Sequence, residues 1–253
     1  MHPATHAKTH PDRPAYIMAG TGETVTYRQL DERSNQAAHF FRSQGLQVGD
    51  VIAIFLENHP RYFEIAWAAQ RSGLYYTCIS SKLTAGEVEY IVGDCEAKLL
   101  ITSAGVGPVV DELPGVLPSH VKLYMCDPAR APYASWEQAI AGFPTTPIAD
   151  ETSGSDMLYS SGTTGRPKGI KPPLSGLKID EAPGMGGIAQ MLFGFPETPT
   201  YLSPAPLYHA APLRWTMGVH RSGGTVVVME KFDPEQALAL IERYRCDCGQ
   251  FVP

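Results

Sequence analysis

The stretch Tyr159-Ser160-Ser161-Gly162-Thr163-Thr164-Gly165-Arg166-Pro167-Lys168-Gly169 decides how the rest of this sequence is read. It follows the short apolar run Met157-Leu158-Tyr159 and precedes a second short candidate strand, Gly169-Ile170-Lys171. Glycine permits positive φ angles, so such a loop can turn several backbone N–H groups toward one point. The hydroxyls of Ser160, Ser161, Thr163 and Thr164 add neutral donors, and the Lys168 ammonium adds a compact positive charge. The natural guest is a polyphosphate. The Walker pattern differs, because there a Lys-Ser or Lys-Thr pair follows the last glycine and opens a helix. Here Pro167 precedes Lys168 and Gly169 follows it, which sets the lysine on a stiff return strand. The competing reading is a Ser/Thr/Gly-rich surface turn.

Working outward, the composition is that of an ordinary folded protein. The 253 residues suffice for one substantial core or two modest ones. A hydrophobic share of 43% and a charged share of 18% exclude a disordered chain. The formal charge of −6 argues against a nucleic-acid surface, which needs a basic face. No apolar run approaches the ~20 residues that span a bilayer, and Met1 to Asp12 lack the apolar centre of a signal peptide. The cytoplasm is therefore the expected location. The 5 cysteines are an odd number; Cys246 and Cys248 are too close for a comfortable disulfide, and no second Cys/His pair completes a zinc tetrahedron. His2, His6 and His10 sit on what reads as a mobile terminus without carboxylates, so a metal site is not expected there.

The pattern along the chain alternates. Thr26-Tyr27-Arg28-Gln29 reads as a capping box for a helix to about Ser43, stopped by Gly45. The unbroken apolar run Val51 to Leu56 suits a buried parallel strand. Asn58 is expected to cap a helix through Arg71, with Pro60 in its first turn. Tyr75 to Ile79 is a strand, and Thr84-Ala85-Gly86-Glu87 is a second capping box for a helix to about Asp94. Strand Lys98 to Thr102, a helix near Val106 to Leu113, strand Val121 to Cys126 and a helix Ser135 to Ala141 follow. Strands separated by helices imply right-handed crossovers and a parallel α/β architecture. Pro144 to Ser155 is a polar linker leading to the loop. Beyond it, Asp180 to Gly187 reads as a loop and Ile188 to Phe193 as a helix. A strand begins at Tyr201-Leu202, Leu213 to His220 is helical, Thr225 to Met229 is a strand, and Asp233-Pro234-Glu235 opens a helix to Tyr244.

Ser161-Gly162-Thr163-Thr164-Gly165 with Pro167-Lys168-Gly169 resembles, position by position, the phosphate-binding signature of the adenylate-forming superfamily: acyl-CoA synthetases, peptide-synthetase adenylation domains and firefly luciferase. The likeness extends diffusely over the whole chain. Pro11-Asp12-Arg13-Pro14-Ala15, Thr26 to Leu30 and Gly49 to Ala53 resemble the first helix-strand unit of such ligases. Ala68 to Tyr76 resembles their second, structural signature. There the family usually has a second small residue before the glycine, and proline where Cys78 or Ile79 stands. The Ser/Thr-His pair that commonly follows the Lys-Gly is replaced here by Lys171-Pro172-Pro173.

The resemblance implies a layered α/β/α/β/α N-terminal domain of the acyl-CoA synthetase type, truncated, with two sheet subdomains. Residues 1–56 and 195–253 would share one discontinuous sheet, residues 57–171 would form the second and end in the phosphate loop, and residues 172–194 would connect them. The implied activity is AMP-forming: a carboxylate, fatty or otherwise apolar, attacks the α-phosphorus of ATP, and the thiol of CoA then takes the acyl group. Ser160, Ser161, Gly162, Thr163, Thr164 and Gly165 would hold phosphate oxygens, Lys168 would offset pyrophosphate charge, and Mg²⁺ would bridge phosphates. In Pro206-Leu207-Tyr208-His209 the imidazole of His209 would face the carboxylate, while Tyr208 and Trp215 line an acyl tunnel or are plain core. Loading of a carrier protein, a luciferase-like oxygenase and a non-catalytic nucleotide-binding module remain as alternatives. An oligomer is left open. The segments that hold adenine and ribose, and the C-terminal domain with its adenylation lysine, have no counterpart in this sequence. The 253 residues alone are therefore expected to be inactive and to expose an apolar face on the second sheet.

Overall fold

A computed structural model of the chain describes residues 1–160, 166–181 and 185–251. The chain folds as two compact units, one comprising Arg33–Glu57 and Glu64–Ile179, the other Met1–Glu32, Asn58–Phe63 and Asp180–Pro253. The helix Tyr27–Ser43 begins in one and ends in the other. Its start is the expected capping box: Thr26 N–H donates to Gln29 Oε1 at 2.9 Å and Gln29 N–H to Thr26 Oγ1 at 3.3 Å.

The unit of Arg33–Glu57 and Glu64–Ile179 carries a six-stranded parallel sheet in the order Ala134–Ser135, Lys122–Cys126, Ala97–Ser103, Val51–Phe55, Tyr75–Cys78, Ser155–Asp156. Val51–Phe55 had been expected at the end of the segment 1–56, in the other sheet. Instead it lies between Ala97–Ser103 and Tyr75–Cys78, so the boundary at 56/57 is corrected. The physical reason is in the run itself. Val51, Ala53 and Phe55 pack on one face with Val88, Ile91, Leu100, Val110 and Leu113, while Ile52 and Ile54 are fully buried on the other. A strand apolar on both faces belongs in the middle of a covered parallel sheet. The helices Ala85–Asp94 and Val109–Val116 cover the first of these faces. On the other side of the unit Phe40, Phe41 and Trp136 form a ring cluster with centroids 5.7 Å and 6.0 Å from the indole.

The other unit holds a five-stranded sheet in the order Cys248–Gly249, Thr200–Ser203, Thr225–Val228, Pro14–Met18, Thr24–Thr26, parallel except for the last pair. Ala237 and Leu240 of helix Pro234–Tyr244 pack on Leu202, Val227 and Met229, and Asp233 Oδ1 caps that helix by accepting from Gln236 N–H at 2.8 Å. On an adjoining flank of the same helix Leu238 and Ile241 are exposed, as are the rings of Phe232 and Phe251. Among the described residues, exposed apolar side chains of this unit thus stand on a helix, where they had been expected on the sheet.

Two further expectations are corrected here. Asn58 does not cap a helix; the helix is Tyr62–Arg71, and the Asn58 side chain is buried among loop carbonyls. Nor is the N-terminus free: Pro3–Thr9 is a short helix, His2 and His6 are buried, and His6 Nε2 lies 3.0 Å from the Arg221 carbonyl. Gly223, at φ +77°, ends the neighbouring helix Ala210–Ser222, and a Cβ there would meet the His6 ring at 2.7 Å. Only glycine suits both the turn and the close approach. That helix starts at Ala210, earlier than Leu213, because Pro212 in a first turn gives up no helical hydrogen bond. Residues 182–184 of the expected 180–187 loop, and Val252 and Pro253, lie outside the described residues.

Candidate functional site

The expected phosphate loop closes an antiparallel pair of short strands, Leu158–Ser160 and Lys168–Ile170. Lys168 is registered with Ser160, Gly169 with Tyr159 and Ile170 with Leu158. Ser161, Gly162, Thr163, Thr164 and Gly165 lie outside the described residues. The structure therefore brings together two of the expected phosphate-binding positions, Ser160 and Lys168, one at each foot of the loop. The Lys168 side chain is exposed and makes no ion pair with any described residue.

The stem of this hairpin is held by helix Ala85–Asp94, which opens with the expected capping box: Thr84 N–H donates to Glu87 Oε2 at 2.8 Å. That bond, and the one from the Thr84 hydroxyl, holds the Glu87 carboxyl below the usual carboxylate range. Tyr90 and Asp94, one turn apart, reach the hairpin from the same helix face. Tyr90 donates its hydroxyl to the Pro167 carbonyl at 3.1 Å, and the Arg166 guanidinium sits 5.0 Å from the Tyr90 ring centre. Tyr159 donates to Asp94 Oδ2 at 2.5 Å. Burial first, and then this bond, push the Tyr159 phenol above its ordinary range, so it stays protonated and donating. Across the pair, a Cβ on Gly169 would come within 2.7 Å of Met157 Cε and 2.9 Å of Tyr159 Cζ. After the hairpin, Tyr75 fixes the exit by donating to the Pro172 carbonyl at 2.5 Å, with the Lys171 ammonium 4.8 Å over its ring.

Tyr75, Tyr90, Asp94 and Arg166 were not singled out from the sequence. The spacing of Tyr90 and Asp94 marks a shared helix face, but nothing in it names the strand they would meet.

His209 belongs to the other unit. It occupies the N-cap position of helix Ala210–Ser222 with extended backbone angles, φ −86° and ψ 148°, and its side chain makes no capping hydrogen bond. The residue is exposed, and its ring lies 4.6 Å from the Tyr208 ring centre. Partial burial lowers its pKa, so the imidazole is uncharged at neutral pH. Trp215, half-buried on the same helix, packs its ring 5.5 Å from both Phe193 and Phe195. The segment leading to His209 is tied to Asn58, whose Nδ2 donates to the carbonyls of Ala205 and Met229 and whose Oδ1 accepts from Leu207 N–H. Among the described residues no group of three or more His, Cys, Asp or Glu is placed to hold a metal ion, and no helix is long and apolar enough to cross a membrane.

Comparison with known proteins adds a second line of support. A protein-family model described as AMP-binding enzyme matches residues 4–253. The 4-coumarate–CoA ligase CCL1 of Humulus lupulus is 33% identical over 96% of this chain and 45% of its own length. The fatty acid–[acyl-carrier-protein] ligase ScoC of Streptomyces coeruleorubidus is 31% identical over 98% of this chain and 46% of its own. An inhibitor-bound structure of the N-terminal domain of FACL13 from Mycobacterium tuberculosis superposes with a TM-score of 0.83 at 25% identity, over 99% of this chain and 62% of that one. The chain thus spans about half the length of the curated relatives it matches.

Proposed function

The chain belongs to the AMP-binding enzyme family, and from that premise we propose that it forms the N-terminal part of an AMP-forming acid–thiol ligase of the acyl-CoA synthetase kind. In the first half-reaction a carboxylate oxygen of the acid bonds to the α-phosphorus of ATP, and the bond from that phosphorus to the bridging oxygen breaks. The products are acyl-AMP and pyrophosphate. In the second, the sulfur of CoA bonds to the acyl carbon and AMP leaves. The chemistry asks the protein mainly for positioning and for neutralisation of charge on the departing phosphates.

One observation carries this reading: Lys168 stands exposed at the foot of a loop whose stem is held by Tyr90 and Asp94. An ammonium on a pre-set strand offsets charge on transferring phosphates without reorganising at the moment of reaction. In this proposal the amides and hydroxyls of residues 160–165 hold pyrophosphate oxygens. A bound Mg²⁺ would supply further neutralisation of phosphate charge. His209, uncharged at neutral pH, orients the incoming carboxylate by a hydrogen bond.

The acceptor has a second reading. The Streptomyces relative, named for a carrier-protein acceptor, is nearly as similar as the plant relative named for CoA. The test is pyrophosphate release by the full-length protein from ATP with a panel of acids that includes 4-coumarate and hexadecanoate. Acid-dependent release supports adenylation, and the appearance of acyl-CoA on adding CoA supports the CoA acceptor. ATP binding without release across a broad panel would favour a non-catalytic nucleotide-binding module.

A further inference from the structure

We propose that Asn58 is a positioning residue for His209, its buried carboxamide fixing the proline-containing connection from which the imidazole is presented. The inference rests on the reading of His209 as the group that orients the carboxylate. The geometric half of it stands on the unit that contains both residues.

The connection between strand Thr200–Ser203 and helix Ala210–Ser222 contains Pro204 and Pro206. Neither has an N–H, so this backbone cannot fix itself with a regular ladder of hydrogen bonds. Its first continuing anchor is Leu207, fully buried, whose N–H donates to Asn58 Oδ1 at 2.8 Å. Asn58 Nδ2 donates to the Ala205 carbonyl at 3.1 Å and to the Met229 carbonyl at 2.7 Å. Met229 directly follows the neighbouring strand Thr225–Val228, and its own N–H donates to the Ser203 carbonyl at 3.0 Å. One side chain therefore staples the exits of two adjacent parallel strands. Only Tyr208 separates the held Leu207 amide from His209.

From there the helix takes over. His209 N–H donates to the Pro206 carbonyl at 3.2 Å, and Leu213 N–H to the His209 carbonyl at 3.1 Å. The backbone of His209 is thus set from both sides, by the Asn58-held turn and by the first helical turn. Asn58 in turn precedes Pro60, whose carbonyl accepts the Tyr16 hydroxyl at 2.6 Å. A primary carboxamide suits this place because it offers two donors and an acceptor without charge, and here all three functions are engaged. A carboxylate would have no N–H for the two carbonyls, and an aliphatic side chain would take their side-chain partner from three backbone groups, two of them in buried contacts.

The test has two arms. In the first, the titration of the His209 imidazole is followed by NMR in the chain itself, in wild type, Asn58→Ala and the near-isosteric Asn58→Asp, which retains the acceptor if the alanine variant folds poorly. Release of the 204–207 connection hydrates the ring, so the midpoint is expected to rise toward that of a free histidine. An unchanged midpoint in a folded variant would overturn the proposal. In the second arm, pyrophosphate exchange by the full-length protein is measured with 4-coumarate or hexadecanoate. Asn58→Ala is expected to raise the acid KM roughly tenfold while leaving the ATP KM within about twofold. His209→Ala should do the same, and the double variant should be no worse than His209→Ala alone. Fully additive effects would overturn the coupling of the two residues. A shifted NMR midpoint with an acid KM that neither substitution changes would uphold the positioning of His209 and remove its carboxylate role instead.

Discussion

Tyr159 and Asp94 are joined by a 2.5 Å hydrogen bond between phenol and carboxylate across 65 positions of sequence. It ties the outgoing strand of the hairpin to the end of the helix Ala85–Asp94. With Tyr90 holding Pro167 on the return side, the two legs of the loop are fixed from one helix. The placement of Lys168 thereby becomes a property of that helix as well as of the loop.

Tyr159→Phe deletes the bond while keeping the ring that packs over Gly169. The bond is partly exposed, so its loss should cost only about 1 kcal/mol of global stability. The local effect should be larger in proportion. Hydrogen exchange at the amides of Gly169 and Ile170 is expected to speed up while core strands such as Val51–Phe55 keep their protection. Equal protection of the hairpin in both proteins would show that Tyr159 and Asp94 do not fix the stem.

Lys168→Ala should separate function from folding. The side chain is exposed and packs on nothing in the described core, so the melting temperature should hardly move. If the ammonium offsets charge on the departing pyrophosphate, adenylation by the full-length protein should slow on the order of 10²-fold. Unaltered adenylation by a purified, folded variant would remove the residue from the mechanism.

The loop was legible in the sequence because its chemistry is contiguous: glycines, hydroxyls and a lysine in one run. The periodic elements were legible for the same reason, since the capping boxes at Thr26 and Thr84 involve neighbours in sequence. What could not be read are pairings across distance. Asn58 before a helical pattern looks like a cap, but the nearby proline-bearing connection competes for its amide and wins. Val51–Phe55 was recognised as a buried strand, yet its apolar run says nothing about which sheet it joins. His6 seemed idle because its partner, the Arg221 carbonyl, comes from the far end of the chain. Tyr90 and Asp94 were passed over on the same ground.

Acid should destabilise the unit that contains His6 and His220. His220 is fully buried, lies 3.2 Å from the Ala15 carbonyl and is packed among Tyr16, Tyr27 and Phe63. Burial pushes its pKa down to about 3, and burial likewise lowers that of His6. In the unfolded chain the imidazole titrates near ~6.5. Between these values the unfolded state binds more protons than the folded one, so stability is lost as the pH falls below about 6.5. The slope reaches at most about 1.4 kcal/mol per pH unit for each histidine. Urea midpoints measured from pH 7.5 to 5 should therefore fall, and His220→Gln should flatten that fall. An identical slope in the variant would assign the acid sensitivity to other groups.

The bare face of helix Pro234–Tyr244 predicts self-association of the chain. Leu238 is 70% exposed and Phe232 53%, with Ile241 and Phe251 beside them in the exposed set. Exposed apolar side chains of this size favour association. Sedimentation at increasing concentration should show oligomers that Leu238→Glu together with Ile241→Lys converts to monomer. The sheet-facing Ala237 and Leu240 are untouched, so the fold should survive. Monomer at all concentrations in the unaltered chain would refute the prediction.

The last prediction concerns Arg71, which is fully buried at the end of helix Tyr62–Arg71. Its Nε lies 2.9 Å from Glu151 Oε1, and its Nη1 donates to Ser34 Oγ at 3.1 Å and also to Asn35 Oδ1. Backbone bonds continue the contact: Thr152 N–H donates to the Arg71 carbonyl at 3.2 Å and Gly154 N–H to the Gln70 carbonyl at 2.6 Å. The linker that delivers the chain to strand Leu158–Ser160 is thus pinned by a buried cation. Arginine cannot shed its proton, so Glu151→Ala removes a carboxylate from beside a buried cation and should cost about 3 kcal/mol. Arg71→Met leaves a carboxylate instead, but Glu151 keeps 20% of its side chain in water and can turn outward, so its cost should be smaller. Replacing both, with Arg71→Met and Glu151→Leu, removes the desolvation penalty with the pair and should recover most of the loss seen in Glu151→Ala. Urea denaturation of the three variants measures this order directly. If Glu151→Ala proves the mildest of them, the linker is held by its backbone bonds alone and the buried cation contributes nothing to its attachment.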